Sequence, residues 1–498
     1  MVVRRLDVLV LVVLVTARVR IDTLADLAAP RPIETIQKVA WLNALLSPDA
    51  WKLMADWLTD PLSLLLISVT FALVLAYIIV DLLGERHMSG DGNAHAEGHA
   101  AQGPVPAAPV AHFQFKLLLV LAIVATTVMA QSAYLVALRH IAGPATYTHD
   151  GGVIQTEETI KFLLQGKNPY VEDYTQTPMA DWGLDYKTAL YHYPYLPWTF
   201  LFSLPFFLAS NAMFGWFDER FVYLLLFALM LLIAVRLAPT PMNKLVLLMV
   251  LGLNPIMGSD VIFGQNDSFV LFWIAAALWL ARRGWTDDDV RGAAHGSAYR
   301  LMAGAAFALA CASKPTAWFL APFFLAYVIG ERPVLPPEEA RIARVKHLVA
   351  RIAPFVLTFL LIVLPFLLWD PYHFYDDVWA WSAGTSPTAY QIRGWGVSNF
   401  VLALNLVPSR LAYFPFWIPE LLVSLPVFLI TLRGQWRDNS LPNVTWHGAI
   451  LFLTFAFTSR FLNENYLGFV VSLLALGALM AGPVRGGLRR TARDSHAA

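Results

Sequence analysis

The sequence predicts an all-α fold, a polytopic transmembrane helical bundle of about 11–13 spans with a functional outer first loop. The first observation is composition, since 58% of the 498 residues are hydrophobic, 14% are charged and the mean hydropathy is +0.57. A soluble globular domain is far less apolar. The second is the length of the apolar runs, because about 20 apolar residues cross a bilayer and a helix satisfies its own backbone groups there.

Twelve apolar runs predict the helices. They lie near residues 62–83, 115–138, 196–212, 220–238, 244–262, 266–281, 299–311, 315–330, 352–369, 411–432, 445–459 and 465–482. An earlier stretch, Leu6–Val15, is too short to span and is followed by Arg18, Arg20 and Asp22. It indicates a signal-like or interfacial segment, or an incorrectly assigned start of the chain.

Basic loops predict the orientation, because Lys and Arg concentrate on the cytoplasmic side. Such loops follow the runs that end near residues 281, 330, 432 and 482. Counting spans from them places Gly264–Asp267, Lys314–Pro315, Asp370–Asn399 and Ser459–Tyr466 together on the outer face.

Three apolar runs between Tyr195 and Gln265 conflict with an outer position for the loop before them, unless one run is not a simple span. The candidates are 196–212, which contains two prolines, and 244–262, which is interrupted by Asn254 and Pro255. We expect the preceding loop to be outside.

Charge and cysteine content exclude two classes of protein. The formal net charge is zero, which indicates no nucleic-acid partner. The single cysteine, Cys311, lies in an apolar run and excludes a disulfide framework.

The most informative polar segment is the predicted outer loop Arg139–Tyr195. It reads His-Asp-Gly-Gly over residues 149–152, Gly-Lys-Asn-Pro-Tyr over 166–170 and Tyr-Pro-Tyr over 193–195. This order resembles the GT-C glycosyltransferases, and within them the polyprenol-phosphate-mannose-dependent mannosyltransferases, whose loop reads aspartate, Gly-x-x-Pro-Tyr and Tyr-Pro-Pro. The last element is altered here. The resemblance covers roughly Ala130–Met480 and implies transfer of a sugar, with mannose expected, from a polyprenyl-phosphate donor to a glycan or lipid acceptor at the outer face of the cell membrane.

Asp150 is the candidate catalytic residue. Inverting glycosyl transfer needs one base to take a proton from the acceptor hydroxyl, and the resemblance assigns that role to Asp150. The alternative is an Asp-Gly-Gly turn that caps a helix over Val153–Leu164.

Three cations are candidates for binding the donor phosphate: Lys314, Arg393 and Arg460. A developing phosphate charge calls for a cation, and a lysine between two apolar runs is costly without a purpose. The alternative for Lys314 is snorkelling to the interface.

Further candidates for binding substrate are His149, Glu157, Tyr170, Tyr193, Gln265, Asn266, Trp395 and Asn463. Glu157 is also a candidate second carboxylate beside the base. The alternatives are a solvated helix face for Glu157, helix capping for Asn266 and an interfacial aromatic belt for Trp395. No cofactor is expected, and no metal, because the histidines at 87, 95, 99 and 112 have no fixed helical spacing.

The domain organisation follows from these segments. Residues 1–60 form a poorly defined N-terminal extension, 61–112 the first strong span and a linker, 113–482 a GT-C-like transmembrane catalytic domain with outer loop 139–195, and 483–498 a basic cytoplasmic tail. The linker Glu85–Ala111 is rich in Gly, Ala, Pro and His, which predicts disorder.

A transporter or flippase of lipid-linked saccharides is the alternative function. Such a protein also has about a dozen spans, but it concentrates functional polar residues at mid-bilayer and carries paired repeats. A polymerase or ligase of surface glycans is a third class, for which a long outer loop late in the chain is expected. Here the long loop comes early.

Overall fold

The computed structural model describes residues 5–28, 36–38, 40–44, 47–56, 61–90, 107–183, 187–285, 293–330 and 340–481, and this part of the chain is almost entirely helical. The α-helices are α1 Leu6–Ala28, α2 Ala40–Asn43, α3 Pro48–Asp56, α4 Pro61–Gly90, α5 Ala107–Val124, α6 Ala130–Ala142, α7 Gln155–Leu164, α8 Trp198–Phe214, α9 Arg220–Leu237, α10 Pro241–Leu253, α11 Pro255–Phe263, α12 Asp267–Trp285, α13 Ala293–Cys311, α14 Ala321–Ile329, α15 Ala340–Trp369, α16 Pro371–Tyr375, α17 Trp381–Ala383, α18 Val397–Ala403, α19 Trp417–Arg437, α20 Leu441–Thr458 and α21 Glu464–Met480.

Short turns and one strand pair complete the fold. π-helical turns cover Ala125–Met129, Asp150–Ile154 and Asp376–Ala380, and 3-10 turns cover Pro178–Asp181, Lys187–Tyr191 and Pro315–Leu320. Strands β1 (Arg393–Gly394) and β2 (Phe461–Leu462) pair in parallel, with Arg393 opposite Phe461.

Membrane-spanning helices are a clear feature of this fold. Five described segments are long and apolar enough to cross a membrane, namely Leu62–Leu83, Val110–Ala142, Arg220–Leu237, Leu348–Trp369 and Trp417–Arg437. The bent pair α10–α11 raises the number to as many as six. The chain is therefore a multi-pass membrane protein. Each of the twelve apolar runs lies largely on a helix or helix pair, and the larger count of 11–13 spans stays a prediction.

Helix α1 differs from the predicted short interfacial or signal-like segment. It has 23 residues, and Leu11 and Val15 are fully buried in the main core. Its charged residue Asp7 is paired inside the bundle: Tyr77 donates to Asp7 at 2.6 Å, and Lys116 forms an ion pair with the same carboxylate. A charged helix is accommodated here because its polar groups find partners on neighbouring helices.

The predicted disordered linker Glu85–Ala111 is helical at both ends, since α4 continues to Gly90 and α5 begins at Ala107. Its centre, residues 91–106, lies outside the described residues, as does the predicted tail 483–498.

The apolar run 244–262 is broken, as predicted for one of the two candidate runs, and whether it crosses the membrane stays a prediction. Helices α10 and α11 meet at a bend of 50°. Asn254 causes the break, because its side chain accepts from the amides of Ile256 at 3.1 Å and Met257 at 3.3 Å and Pro255 occupies the first position of the new helix. The other candidate, 196–212, forms the continuous helix α8 with Pro205 inside it.

After the break, the end of helix α11 lies against the loop that precedes α7. The amide of His149 donates to the carbonyl of Phe263 at 2.8 Å, so the segments around residues 149 and 264 are direct neighbours. The expectation that Asp150 and Gln265 lie on one face is confirmed in this sense, and which side of the membrane that face occupies stays a prediction.

Candidate active site

A cavity of about 960 Å³ lies where the loops between the long helices converge. Five segments form its wall. They are parts of the predicted outer loop 139–195, the α11–α12 junction, the 3-10 turn after α13, the loop around residue 390 and the α20–α21 connection. Seven of the predicted site residues line it: His149, Gln265, Asn266, Lys314, Arg393, Arg460 and Asn463. Loops far apart in sequence therefore meet at one site.

The backbone around Asp150 is held tightly against the α11–α12 junction. Asp150 opens a π-helical turn, and its neighbours His149 and Gly151 line the cavity. A Cβ on Gly152 would lie 2.0 Å from the carbonyl oxygen of Gly264, so this contact requires glycine. The turn precedes α7 directly, as the capping alternative also expects.

Lys314 lies in the cavity wall as one member of a polar cluster. Its Nζ donates to Asp267 Oδ1 at 2.7 Å and to Asn266 Oδ1 at 3.0 Å, and 8% of the residue is exposed. Asn465 also hydrogen-bonds to Asp267. The lysine is thus buried and paired with a carboxylate, and snorkelling to bulk water does not describe its position.

Arg460 lines the cavity, but its guanidinium is already hydrogen-bonded to backbone carbonyls. It is 1% exposed, and its guanidinium donates to the carbonyls of Tyr390, Ala412 at 3.0 Å and Leu411 at 3.2 Å. Burial lowers its pKa to about 10. The arginine clamps the 390–412 loop to the α20–α21 connection.

Arg393 lies on strand β1 with an exposed side chain. Its amide donates to the carbonyl of Arg460 at 3.3 Å, which fixes its backbone. Among the cavity-lining cations of the described chain, Arg393 is the one whose guanidinium is not committed to a protein acceptor, and it is therefore best placed to meet an anionic ligand.

Glu157 does not lie in the cavity wall of the described protein, contrary to its predicted role beside the base. Arg139 binds both of its carboxylate oxygens at 2.8 Å, and Arg139 also binds Asp218 at 2.9 Å. Arg220 binds the same Asp218 at 2.7 Å. These four residues, Arg139, Glu157, Asp218 and Arg220, form what we call the sealed network. The predicted solvated face is also wrong, because Glu157 is 7% exposed.

Tyr170 and Tyr193 lie behind the cavity wall in a second core cluster. They are 2% and 0% exposed, and their ring centroids are 5.8 Å apart. Tyr170 donates to the carbonyl of Tyr195 at 2.9 Å, so the Gly-x-x-Pro-Tyr segment packs against the Tyr-Pro-Tyr segment. Their position supports the shape of the loop and differs from the predicted contact with substrate.

Trp395 and Asn463 directly follow strands β1 and β2. Asn463 lines the cavity and donates to Tyr390 Oη at 3.4 Å, while Trp395 is 54% exposed and lines an adjoining polar hollow. Gln265 also lines the cavity and follows Gly264, whose φ of +87° ends helix α11 in a left-handed conformation.

A histidine and two aspartates join the first and second predicted outer loops. His192 Nδ1 lies 2.8 Å from Asp377 Oδ1 and 3.6 Å from Asp376 Oδ2. Burial raises the pKa of Asp377 to about 6. The three ligand atoms lie within 4.8 Å of one another, a spacing that a metal ion accepts. Each of the three also has another protein partner, since Ser386 donates to Asp376, the amide of Tyr193 donates to Asp377 and Thr388 hydrogen-bonds to His192. The predicted absence of a metal stays untested.

Several cavity residues were not predicted as ligands from the sequence. Glu420 lines the wall, as do the aromatic side chains of Trp318, Phe319 and Phe452. Glu420 lies in the first turn of an apolar helix, and a carboxylate in such a helix indicates a functional residue even from the sequence. The aromatic residues belong to apolar runs in which nothing distinguishes a cavity-facing position from a core position.

The fold and the site together define a multi-pass, almost entirely helical membrane protein with a polar cavity formed by its converging loops. No protein-family model, curated protein or solved structure matches this chain.

Proposed function

We propose that this protein is a membrane glycosyltransferase that transfers a sugar, with mannose expected, from a polyprenyl-phosphate donor to a glycan or lipid acceptor. One observation carries the proposal: the turn that begins at Asp150, the Lys314 cluster and an exposed Arg393 all border a single large cavity. That cavity also has an apolar wall of Trp318, Phe319 and Phe452, which suits a ligand that is part lipid and part polar.

The proposed reaction is an inverting displacement. Asp150 takes the proton of an acceptor hydroxyl, the acceptor oxygen forms a bond to the anomeric carbon, and the bond from that carbon to the phosphate oxygen breaks. The polyprenyl phosphate leaves with the electron pair. Arg393, with Lys314, stabilises its negative charge.

Asp150→Asn tests the base directly. The carboxamide keeps the size of the side chain but does not accept the proton, so transfer from radiolabelled polyprenyl-phosphate mannose falls by about a thousandfold or more. Thermal unfolding of the variant stays unchanged. A variant with more than about a tenth of the wild-type rate would contradict the assignment.

Asp173→Asn is the matched control, because Asp173 is an exposed aspartate of the same predicted outer loop and does not line the cavity. It should keep most of the activity. A loss in Asp173→Asn as large as that in Asp150→Asn would contradict a specific role of Asp150 as the base.

The outer location of the cavity is tested by labelling single cysteines in intact cells, in a Cys311→Ala background. Cysteines at residues 149, 265 and 463 should react with an impermeant maleimide, because these positions line one cavity. A cysteine at 437, on the last turn of α19, should not react. The reverse pattern would place the cavity on the cytoplasmic side.

A transporter or flippase is the second candidate, and the broken helix α10–α11 favours it. Discontinuous helices form substrate and ion sites in transporters, and Asp260 is a buried carboxylate on α11. Proteoliposomes loaded with a fluorescent lipid-linked saccharide distinguish the two functions. Transbilayer movement without a new glycosidic bond would favour transport, and a new glycosidic bond would favour the transferase.

A further inference from the structure

A second concavity, of about 290 Å³, opens beside the main cavity and is strongly polar. We call it the polar hollow, and its lining residues are Gln391, Arg393, Gly394, Trp395, Asn399, Arg410, Leu462, Asn463 and Glu464. Four of them, Gln391, Arg393, Asn463 and Glu464, also line the main cavity, so the two spaces adjoin along a shared wall.

The polar hollow has a firm backbone frame. Strands β1 and β2 pair so closely that a Cβ on Gly394, whose φ is +96°, would lie 2.0 Å from the carbonyl oxygen of Leu462. The amide of Ile392 donates to the carbonyl of Arg410 at 2.7 Å, and the buried Arg460 grips the adjacent carbonyls. Because these contacts fix the backbone, the side chains of Arg393 and Arg410 stand on neighbouring segments of a preorganised rim.

The side chains of the rim suit one class of ligand. Arg393 and Arg410 are exposed and outnumber the single carboxylate, Glu464. Guanidinium groups bind carboxylate or phosphate oxygens through two parallel hydrogen bonds. Trp395 offers an exposed aromatic face, of the kind against which a sugar ring packs. An acidic sugar unit matches both features.

We propose that the polar hollow is the acceptor subsite and that it binds a sugar unit carrying an acid group, either a carboxylate or a phosphate. This inference rests on the proposed transferase function. The two arginines then have different roles. Arg393 borders both spaces and binds the donor phosphate, whereas Arg410 lines the polar hollow and binds the acceptor.

The test uses purified protein in nanodiscs with polyprenyl-phosphate mannose and matched acceptors. Octyl β-glucuronide and octyl β-glucoside differ by a carboxylate, and octyl glucoside 6-phosphate supplies the phosphate arm. The wild type should use the acidic acceptors with a kcat/KM about 10- to 100-fold above that of the neutral one. Arg410→Gln should remove this preference and leave the donor KM unchanged, while Arg437→Gln, an exposed arginine on α19, should behave as wild type.

A binding measurement separates failure of the subsite from failure of the transferase function. Asn399→Cys in the Cys311→Ala background places a label in the polar hollow, and octyl β-glucuronide should protect it from maleimide more strongly than octyl β-glucoside does. Protection without transfer to any acceptor would overturn the transferase and keep the subsite. A wild type with neither protection nor preference for acid, or an Arg410→Gln variant that keeps the preference, would overturn the subsite.

Discussion

Two clusters of buried charged residues in this protein contain similar residue types, but only one of them borders the cavity. The sealed network holds two arginines and two carboxylates within 2.9 Å of their partners, and none of its four described members lines the cavity. The cluster of Lys314, Asp267 and Asn266 is equally buried, but Lys314 and Asn266 form part of the cavity wall. Burial of a charged group therefore does not by itself indicate a binding site. Contact with the cavity is what separates the Lys314 cluster from the sealed network.

Within the sealed network, Asp218 is paired with two arginines. Burial alone would raise the pKa of Asp218, but the guanidinium groups of Arg220 and Arg139 hold it well below its ordinary value. Glu157 also accepts the amide of Glu219 at 3.0 Å, so the network ties the start of α9 to α7. The segment that contains α7 is thereby fixed relative to α9.

The largest effect should come from opening the sealed network. Glu157→Ala leaves Arg139 without its bidentate partner, and breaking a buried pair costs about 3–5 kcal/mol. Thermal unfolding in detergent should show this loss. Glu172→Ala, which removes an exposed partner of Lys167, is the control and should cost less than about 1 kcal/mol. A stable Glu157→Ala protein that lost transfer would return Glu157 to the list of substrate ligands.

The Lys314 cluster should affect the donor more than the fold once its charge is balanced. Lys314→Ala alone strands the carboxylate of Asp267, so the informative comparison is Lys314→Ala/Asp267→Asn against Asp267→Asn. The added loss should be about 10- to 100-fold in kcat/KM for the donor, with the acceptor KM unchanged. An equal kcat/KM in the two variants would assign Lys314 to holding Asp267.

The smallest effect is a pH dependence at the pair of His192 and Asp377, which is buried beside the cavity wall. The pKa of Asp377 in the folded protein is about 6, above its ordinary value. The folded protein therefore keeps the carboxyl proton up to about pH 6, whereas the unfolded chain releases it near pH 4. The contribution of this group to stability is therefore present below about pH 4 and lost as the pH rises through 6, and the part that is lost between pH 5 and pH 7 is about 1 kcal/mol.

Thermal unfolding between pH 5 and pH 7 measures this contribution. Asp377→Asn should flatten the slope, and Asp376→Asn should keep it, although Asp376 and His192 both face the titrating carboxyl. A wild-type protein whose stability rises from pH 5 to pH 7 would contradict the assignment.

The sequence predicted the helices better than the partners of its polar residues. Apolar runs identify helices because each run is local, and the interruption at Asn254 and Pro255 identified the broken run for the same reason. The convergence of Gln265 and Lys314 also followed from counting spans. The partner of Glu157 is Arg139, which lies 18 residues away, and the network closes through Asp218, 79 residues from Arg139. No local pattern encodes that pairing.

The same limit explains Arg460 and α1. An arginine that binds backbone carbonyls, as Arg460 binds those of Tyr390 and Ala412, and one that binds phosphate have the same sequence signature, because the acceptors are supplied by the fold. Helix α1 contains charges that make it a poor span by composition, and their partners Tyr77 and Lys116 lie on later helices. The sequence shows the charge of each side chain, but it does not show which partner the fold brings to it.

The contact between α1 and the broken helix has a consequence for biosynthesis. Arg18 donates to the carbonyl of Pro255 at 2.7 Å and to Ser259 at 2.7 Å, across 237 residues of chain in the first case. A ribosome therefore completes α1 long before the residues that receive its arginine exist. During that interval Asp22, on the same helix, is the partner already synthesised. The contact of Arg18 with Pro255 and Ser259 therefore forms only after α11 has been synthesised, whereas the pairing with Asp22 is available earlier.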